Sequence, residues 1–205
     1  MINPDFLYGD TSLNVQIFHA INNVQDLLLQ QLALVGSALG KFSLFPLYLI
    51  VIAIWRRKVA GVPSLKPTIM PMVITYLIFI VWVTGLKHAL HMPRPFAILP
   101  EGSVNIMDSV KLEESPFVSF PSGHAAFSMM MLVMLWPLLN RYAKIGGVLI
   151  LLWVGLSRIS LGVHFPSDIL MTWILSFAIT SLSMELGKRI VKNASQATST
   201  DSTQG

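Results

Sequence analysis

The chain has 205 residues, enough for one domain, yet only 12% are charged (14 Lys+Arg against 10 Asp+Glu, net +4), compared with roughly 25% in soluble domains. With 54% hydrophobic residues and a mean hydropathy of +0.66, a water-soluble fold would expose far more apolar surface than folding tolerates, and a disordered chain is equally excluded. No Cys is present, which removes disulfides, thiolate metal sites and Cys nucleophiles; what remains is a polytopic, all-α membrane protein.

The first Lys or Arg is Lys41, so the basic start of a cleavable signal peptide is missing. Leu13, Ile17, Ile21 and Val24 recur at helical spacing opposite Asn14, Asn22 and Asp26, which predicts a helix lying in the membrane interface. Leu27 to Leu39 is apolar but carries Gln30, Gln31 and Gly36 and ends at Gly40, a pattern for a re-entrant or surface helix; residues 1–36 are therefore assigned to interfacial or re-entrant helices. Were Leu27 to Leu39 to cross, it would make a sixth span. Five stretches have about the 20 apolar residues a crossing needs: 37–55, 67–86, 123–139, 145–163 and 169–184. Residues 1–192 form one domain, and the Ser/Thr-rich tail 193–205 is expected to be disordered. Within the tail, Asn193-Ala194-Ser195 matches a glycosylation acceptor by chance, since it falls on the cytoplasmic side. The long 88–120 connection predicts function or a short internal helix.

Nine of the fourteen basic residues lie on one face: Arg56, Arg57, Lys58 and Lys66, then Arg141 and Lys144, then Lys188, Arg189 and Lys192. By the excess of Lys and Arg in cytoplasmic loops, that face is cytoplasmic, with the N-terminus outside and the C-terminus inside.

The remaining polar residues at span ends all fall on the outer face. Lys87 closes the second span and Arg94-Pro95 follows; Pro121-Ser122-Gly123-His124 opens the third; Ser157 and Arg158 end the fourth; His164 and Asp168 introduce the fifth. Taken singly, Lys87 is an ordinary snorkelling anchor, Arg94 a solvated loop residue and Asp168 a helix N-terminal charge. His19, His88 and His91 are ordinary interfacial histidines, and Met129, Met130, Met131 and Phe177 are packing residues. Taken together, the cations, a glycine that lets backbone approach an anion, free N–H groups at a helix start, two imidazoles and one carboxylate suit an oxyanion such as phosphate. Asp168, four residues after His164, can hold one imidazole nitrogen as N–H and leave the other free to attack.

In that order the three motifs resemble the signature of the type 2 phosphatidic acid phosphatase family, which shares its site with vanadium haloperoxidases and some bacterial acid phosphatases. They are Lys87 with Arg94-Pro95, Pro121-Ser122-Gly123-His124, and Ser157-Arg158 with His164 and Asp168. The resemblance implies that His164 is the nucleophile, forming a phosphohistidine, with Asp168 orienting it. It makes His124 the general acid and then the base for water. Lys87, Arg94, Ser122, Gly123 and Arg158 would hold the phosphoryl oxygens, and Ser157 would add a supporting hydrogen bond. It implies no metal and no cofactor. The expected partners are the membrane and a lipid phosphate, not nucleic acid. The substrate class is a lipid phosphate or diphosphate: undecaprenyl diphosphate, phosphatidylglycerol phosphate, phosphatidate or lipid A. The location implied is a bacterial inner membrane with the site facing outward. A lipid-to-lipid phosphotransferase would use the same residues. A non-enzymatic transporter or scaffold binding anionic lipid would not require the two histidines and the aspartate.

Overall fold

The computed structural model describes residue 9 and residues 12–24, 26–58 and 65–201. Its helices are α1 (Leu13–Asn22), α2 (Leu27–Leu39), α3 (Phe45–Lys58), α4 (Lys66–Leu90), α5 (Pro95–Ile98), α6 (Asp108–Glu113), α7 (Gly123–Leu135), α8 (Arg141–Ser160) and α9 (Pro166–Asp201), with 3₁₀ turns at Phe42–Leu44 and Trp136–Leu138. Several starts are written in the sequence: Ser12, Asp26, Ser122 and Asn140 each cap a helix by accepting a backbone N–H three residues on.

The protein is a membrane-embedded, multi-pass helical bundle. Among the described residues three segments are long and apolar enough to cross a bilayer, Lys66–Ile98, Arg141–Ser160 and Pro166–Ala194, while α2 and Phe42–Lys58 reach that length only as a pair bent by 54°, the geometry of a broken span or a re-entrant loop. The remaining predicted span, Gly123–Leu138, is apolar but shorter than a full crossing. It runs through the middle of the bundle, where Ala126, Phe127, Met130 and Met134 are buried. Phe127 meets Phe79 of α4 edge-on at 6.0 Å, and Phe45 stacks on Tyr76 at 3.9 Å beside them. α9 presents Thr172, Ser176, Thr180 and Ser183 as a buried small-residue stripe, with the Ser176 hydroxyl donating to the Ala126 carbonyl at 2.8 Å. Val81, Leu149, Ile174 and Leu182 stay exposed, as lipid-facing side chains must.

Three features differ from the sequence reading. The stretch 37–55 is not one helix, because the chain breaks at Gly40 and Lys41, so Ser37 belongs to α2. The break follows from close packing: a Cβ on Gly40 would lie 2.8 Å from Val154 Cγ1 and 2.9 Å from His124 Cβ. One turn earlier, Gly36 lets Trp153 close in, and the Trp153 indole donates to the Leu32 carbonyl at 3.0 Å. The glycines that suggested a re-entrant or surface helix let α2 lie against α8, and its 54° bend to the next helix is compatible with a re-entrant path. α1 keeps Leu13 and Ile17 of its apolar stripe exposed, with Val24 exposed just beyond it, but docks on the bundle through Val15, Phe18 and Asn22. The Asn22 amide donates to the Asn105 and Ser160 carbonyls at 2.8 and 2.9 Å. Finally, α9 continues through Asp201 where disorder was expected from residue 193, because extending an existing helix needs no new nucleus; residues 202–205 lie outside the described residues.

Replacing Gly40 by Leu is expected to cost about 1–3 kcal/mol of stability by overpacking. Gly85→Ala, at a site where an added Cβ meets nothing within 4 Å, should cost none. Thermal unfolding of the two variants in detergent checks the contrast.

Candidate active site

The helix ends away from the basic cluster converge. Lys87 lies in the last turn of α4 and Arg158 in the last turn of α8. Ser122 caps α7, and Asp168 lies in the first turn of α9. Ser37 and Lys41 lie at the α2 break, and the 99–120 segment supplies Glu114 and Ser119 to the same region.

Arg94 is the hub, with its side chain 1% exposed. Its Nε donates to the Ser115 carbonyl at 2.7 Å, and its Nη1 to the Val163 carbonyl at 2.8 Å. Its Nη2 pairs with Glu114 Oε2 at 2.6 Å. Arg158, also buried, donates through Nη1 to Ser37 Oγ at 2.6 Å and through Nη2 to the other Glu114 oxygen. One carboxylate thus bridges two buried guanidiniums. Removing one partner of such an arrangement costs about 3–5 kcal/mol, because the charge left behind is stranded out of water. Lys87 is near enough for its charge to act on Arg94, Glu114 and Arg158.

His164 is buried against this cluster, its Nε2 3.2 Å from Arg94 Nη1. A guanidinium can only donate, so Nε2 offers its lone pair and the ring proton is assigned to Nδ1. Nδ1 faces Ser119 Oγ at 3.3 Å, and Ser119 in turn donates to Asp168 Oδ2 at 2.6 Å. The direct Nδ1 to Oδ2 distance is 3.7 Å, too long for a hydrogen bond, so the carboxylate acts on the imidazole through Ser119. Asp168 also accepts the Phe165 N–H at 3.0 Å, bonding back across the first turn of α9. Burial first, then the charges of Arg94, Arg158 and Lys87, push the His164 pKa well below the usual 6.5, leaving the ring neutral.

A cavity of about 330 Å³ opens beside the Arg158 guanidinium, lined among others by Lys41, Glu113, Glu114, His124 and Arg158. His124 Nε2 is buried with no hydrogen-bond partner among the described residues. A Cβ on Gly123 would meet nothing within 4 Å, so packing does not require glycine there, and the space beside its backbone is open.

The structure therefore brings together Arg94, Arg158, His164 and Asp168, with His124 lining the same cavity as Arg158 and Lys87 near enough for its charge to be felt. Two of the expected residues also serve the fold. The Ser122 hydroxyl caps α7 by accepting from Ala125 at 3.5 Å, while its N–H donates to Thr172 Oγ1 at 3.0 Å. Ser157 bonds back to the Val154 carbonyl at 2.7 Å, inside its own helix. Sequence reasoning missed Glu114, Ser119, Ser37 and Lys41. Ser119 carried a usable signal, lying two residues before Pro121 in the second motif.

Helix ends that gather cations around a neutral imidazole inside a bilayer mark a class, the membrane phosphatases that hold phosphate at the membrane surface. The particular family follows from comparison: the model of the PAP2 superfamily matches residues 68–192, and the chain belongs to that superfamily. It is similar to a Sulfolobus acidocaldarius protein named undecaprenyl-diphosphatase, 27% identical over 175 residues that cover 84% of this chain and 78% of that one. Among solved structures it resembles Aquifex aeolicus LpxE, with a TM-score of 0.71 and 27% identity over 87% of this chain and 99% of that one. It also shares its fold with a transmembrane PAP2-type phosphatidylglycerolphosphate phosphatase of Bacillus subtilis, with a TM-score of 0.63 and 23% identity over 88% and 90% of the two chains.

Ser119→Ala leaves the fold intact but uncouples Asp168 from His164. A fall in kcat of about tenfold with little change in KM is expected, the hydroxyl being a single neutral hydrogen-bond link worth about 1 kcal/mol or slightly more. Steady-state kinetics on a lipid phosphate reads this out.

Proposed function

We propose that the protein hydrolyses a lipid diphosphate or phosphate of the undecaprenyl diphosphate type, through a phosphohistidine on His164, at the outer face of the cytoplasmic membrane. One observation carries the reading: the guanidinium that donates to His164 Nε2 also holds an anion, so the unprotonated ring nitrogen lies beside the anion cradle. The likeness to the protein named undecaprenyl-diphosphatase supports the substrate class. The grouping of basic residues at the opposite helix ends supports the sidedness.

In this reaction Nε2 attacks phosphorus as the bond to the lipid's leaving oxygen breaks. His124, whose Nε2 has no other partner, donates a proton to that oxygen and then takes one from water. The water oxygen displaces Nε2 from phosphorus, releasing inorganic phosphate and restoring neutral His164. Arg94, Arg158 and Lys87, with the Gly123 N–H, stabilise the charge on the equatorial oxygens throughout. These cations supply the electrostatics, and among the described residues no group of three His, Cys, Asp or Glu side chains is placed to hold a metal.

Purified protein should release phosphate from a lipid phosphate in the presence of chelator and be inhibited by vanadate. A panel of prenyl diphosphate, phosphatidylglycerol phosphate, phosphatidate and lipid A ranks the substrates, with prenyl diphosphate expected first. His164→Ala should reduce turnover to background while the protein stays folded; near-normal activity would remove His164 as nucleophile. Arg158→Lys should lower kcat/KM about 10²-fold, since an ammonium cannot reproduce the planar fork.

The pH dependence has a definite sign. Because His164 resists protonation in the folded protein, the acid limb it contributes to kcat/KM should lie well below pH 6.5. Arg94→Gln, which removes the strongest of the repelling charges, should move that limb upward, to be read from pH–rate profiles of the two proteins.

A further inference from the structure

Glu114 is a charge at the heart of the site that the proposed reaction does not use. Its two carboxylate oxygens take Nη2 of Arg94 and Nη2 of Arg158, the same donors that a phosphoryl group would need. We propose that Glu114 is a resident competitor for the phosphoryl cradle and sets its specificity: dianionic phosphate end groups displace it, and the monoanionic phosphodiesters of bulk phospholipids do not. The inference rests on the phosphatase reading of this same site.

The placement lets the side chain leave without disturbing the fold. The backbone after it is pinned, since Arg94 Nε holds the Ser115 carbonyl at 2.7 Å and the Arg94 N–H donates to the Pro116 carbonyl at 2.9 Å. Before it, Val110 of α6 packs on the cluster of Ala33, Leu161 and Val163, so the backbone is anchored on both sides and only the side chain need turn. Glu114 already lines the cavity of about 330 Å³, and Lys41 lines the same cavity, a cation toward which the displaced carboxylate can turn.

Charge then decides which lipids enter. A phosphodiester brings one negative charge, as Glu114 does, so the exchange gains no net attraction. It must also beat a tethered group whose effective concentration is on the order of millimolar. A phosphomonoester, or the terminal phosphate of a diphosphate, brings about −1.5 to −2 charges at neutral pH and three acceptor oxygens, and it wins the donors. A site open at headgroup level meets phosphodiesters in vast excess, so rejecting them requires a repulsive or competing element of this kind.

The test is binding of inorganic phosphate and of dimethyl phosphate to the detergent-purified full chain, by calorimetry, with wild type, Glu114→Gln and Glu114→Asp. The wild type should bind inorganic phosphate and dimethyl phosphate with a wide gap in affinity. Glu114→Gln should tighten dimethyl phosphate at least tenfold and lower KM for a lipid monoester, and phosphatidylglycerol should become a competitive inhibitor. Glu114→Asp, too short to bridge both guanidiniums, should fall between. Unchanged dimethyl phosphate affinity in Glu114→Gln overturns the proposal, as does loss of folding in both variants, which would make Glu114 a structural counter-ion only. Binding needs no turnover, so the two readings fail separately. A chain that shows this selectivity but hydrolyses no lipid phosphate refutes the phosphatase, whereas hydrolysis with unaltered selectivity refutes the role of Glu114.

Discussion

Two guanidiniums buried side by side within a bilayer-embedded bundle repel each other and have lost most of their water, so they must be matched by an anion and by carbonyls. Much of the site is arranged around that requirement. Arg94 draws the carbonyls of Ser115 and Val163 onto itself, and those bonds fix the path of the 99–120 segment and of the turn before α9. Holding that path puts Ser119 between His164 and Asp168 and puts Glu114 between the arginines. The cations thus shape the loop before they meet any substrate.

The bundle meets this requirement with helix ends. An end leaves backbone groups unpaired, carries a partial charge, and reaches headgroup level where water is at hand. α4 and α8 bring cations at their C-termini, where the dipole favours them, while α7 and α9 bring N–H groups and Asp168 at their N-termini. Close approach then compresses these ends into one site. Gly40 admits the Val154 and His124 side chains, and Gly36 admits Trp153, so α2 lies near enough for Ser37 to reach Arg158.

Legibility in the sequence divides along physical lines. The helices declared themselves through apolar length, and the motif residues through being ionisable where a membrane tolerates few such groups. Glu114 did not stand out, because an acidic pair in a long outer loop is ordinary until its partners are known. Ser119 and Ser37 are neutral and small, and their roles exist only through residues 45 and 121 positions away in the chain. Lys41 seemed to sit near the start of a span, and it became a cavity residue once the chain was seen to break at Gly40. Gly36 and Gly40 have no side chain by which sequence could reveal their neighbours. At the end of α9 the two readings differ for another reason: polar composition predicts disorder in an isolated segment, whereas residues 194–201 continue a helix that is already formed.

The same charges serve both halves of the proposed reaction. Before substrate arrives, Arg94, Arg158 and Lys87 disfavour a proton on His164, which keeps Nε2 nucleophilic. When the phosphoryl group binds, its negative oxygens offset those cations, so the ring no longer faces an unbalanced positive field as its nitrogen bonds to phosphorus. The positive charge that then develops on the imidazole is met from behind by Asp168 through the Ser119 hydroxyl. A carboxylate bonded directly to Nδ1 would favour the protonated ring at rest as well as in the intermediate. Acting at one remove, and already accepting the Phe165 N–H, Asp168 stabilises the charged ring less in the resting enzyme, while the cradle cations control when that charge can form.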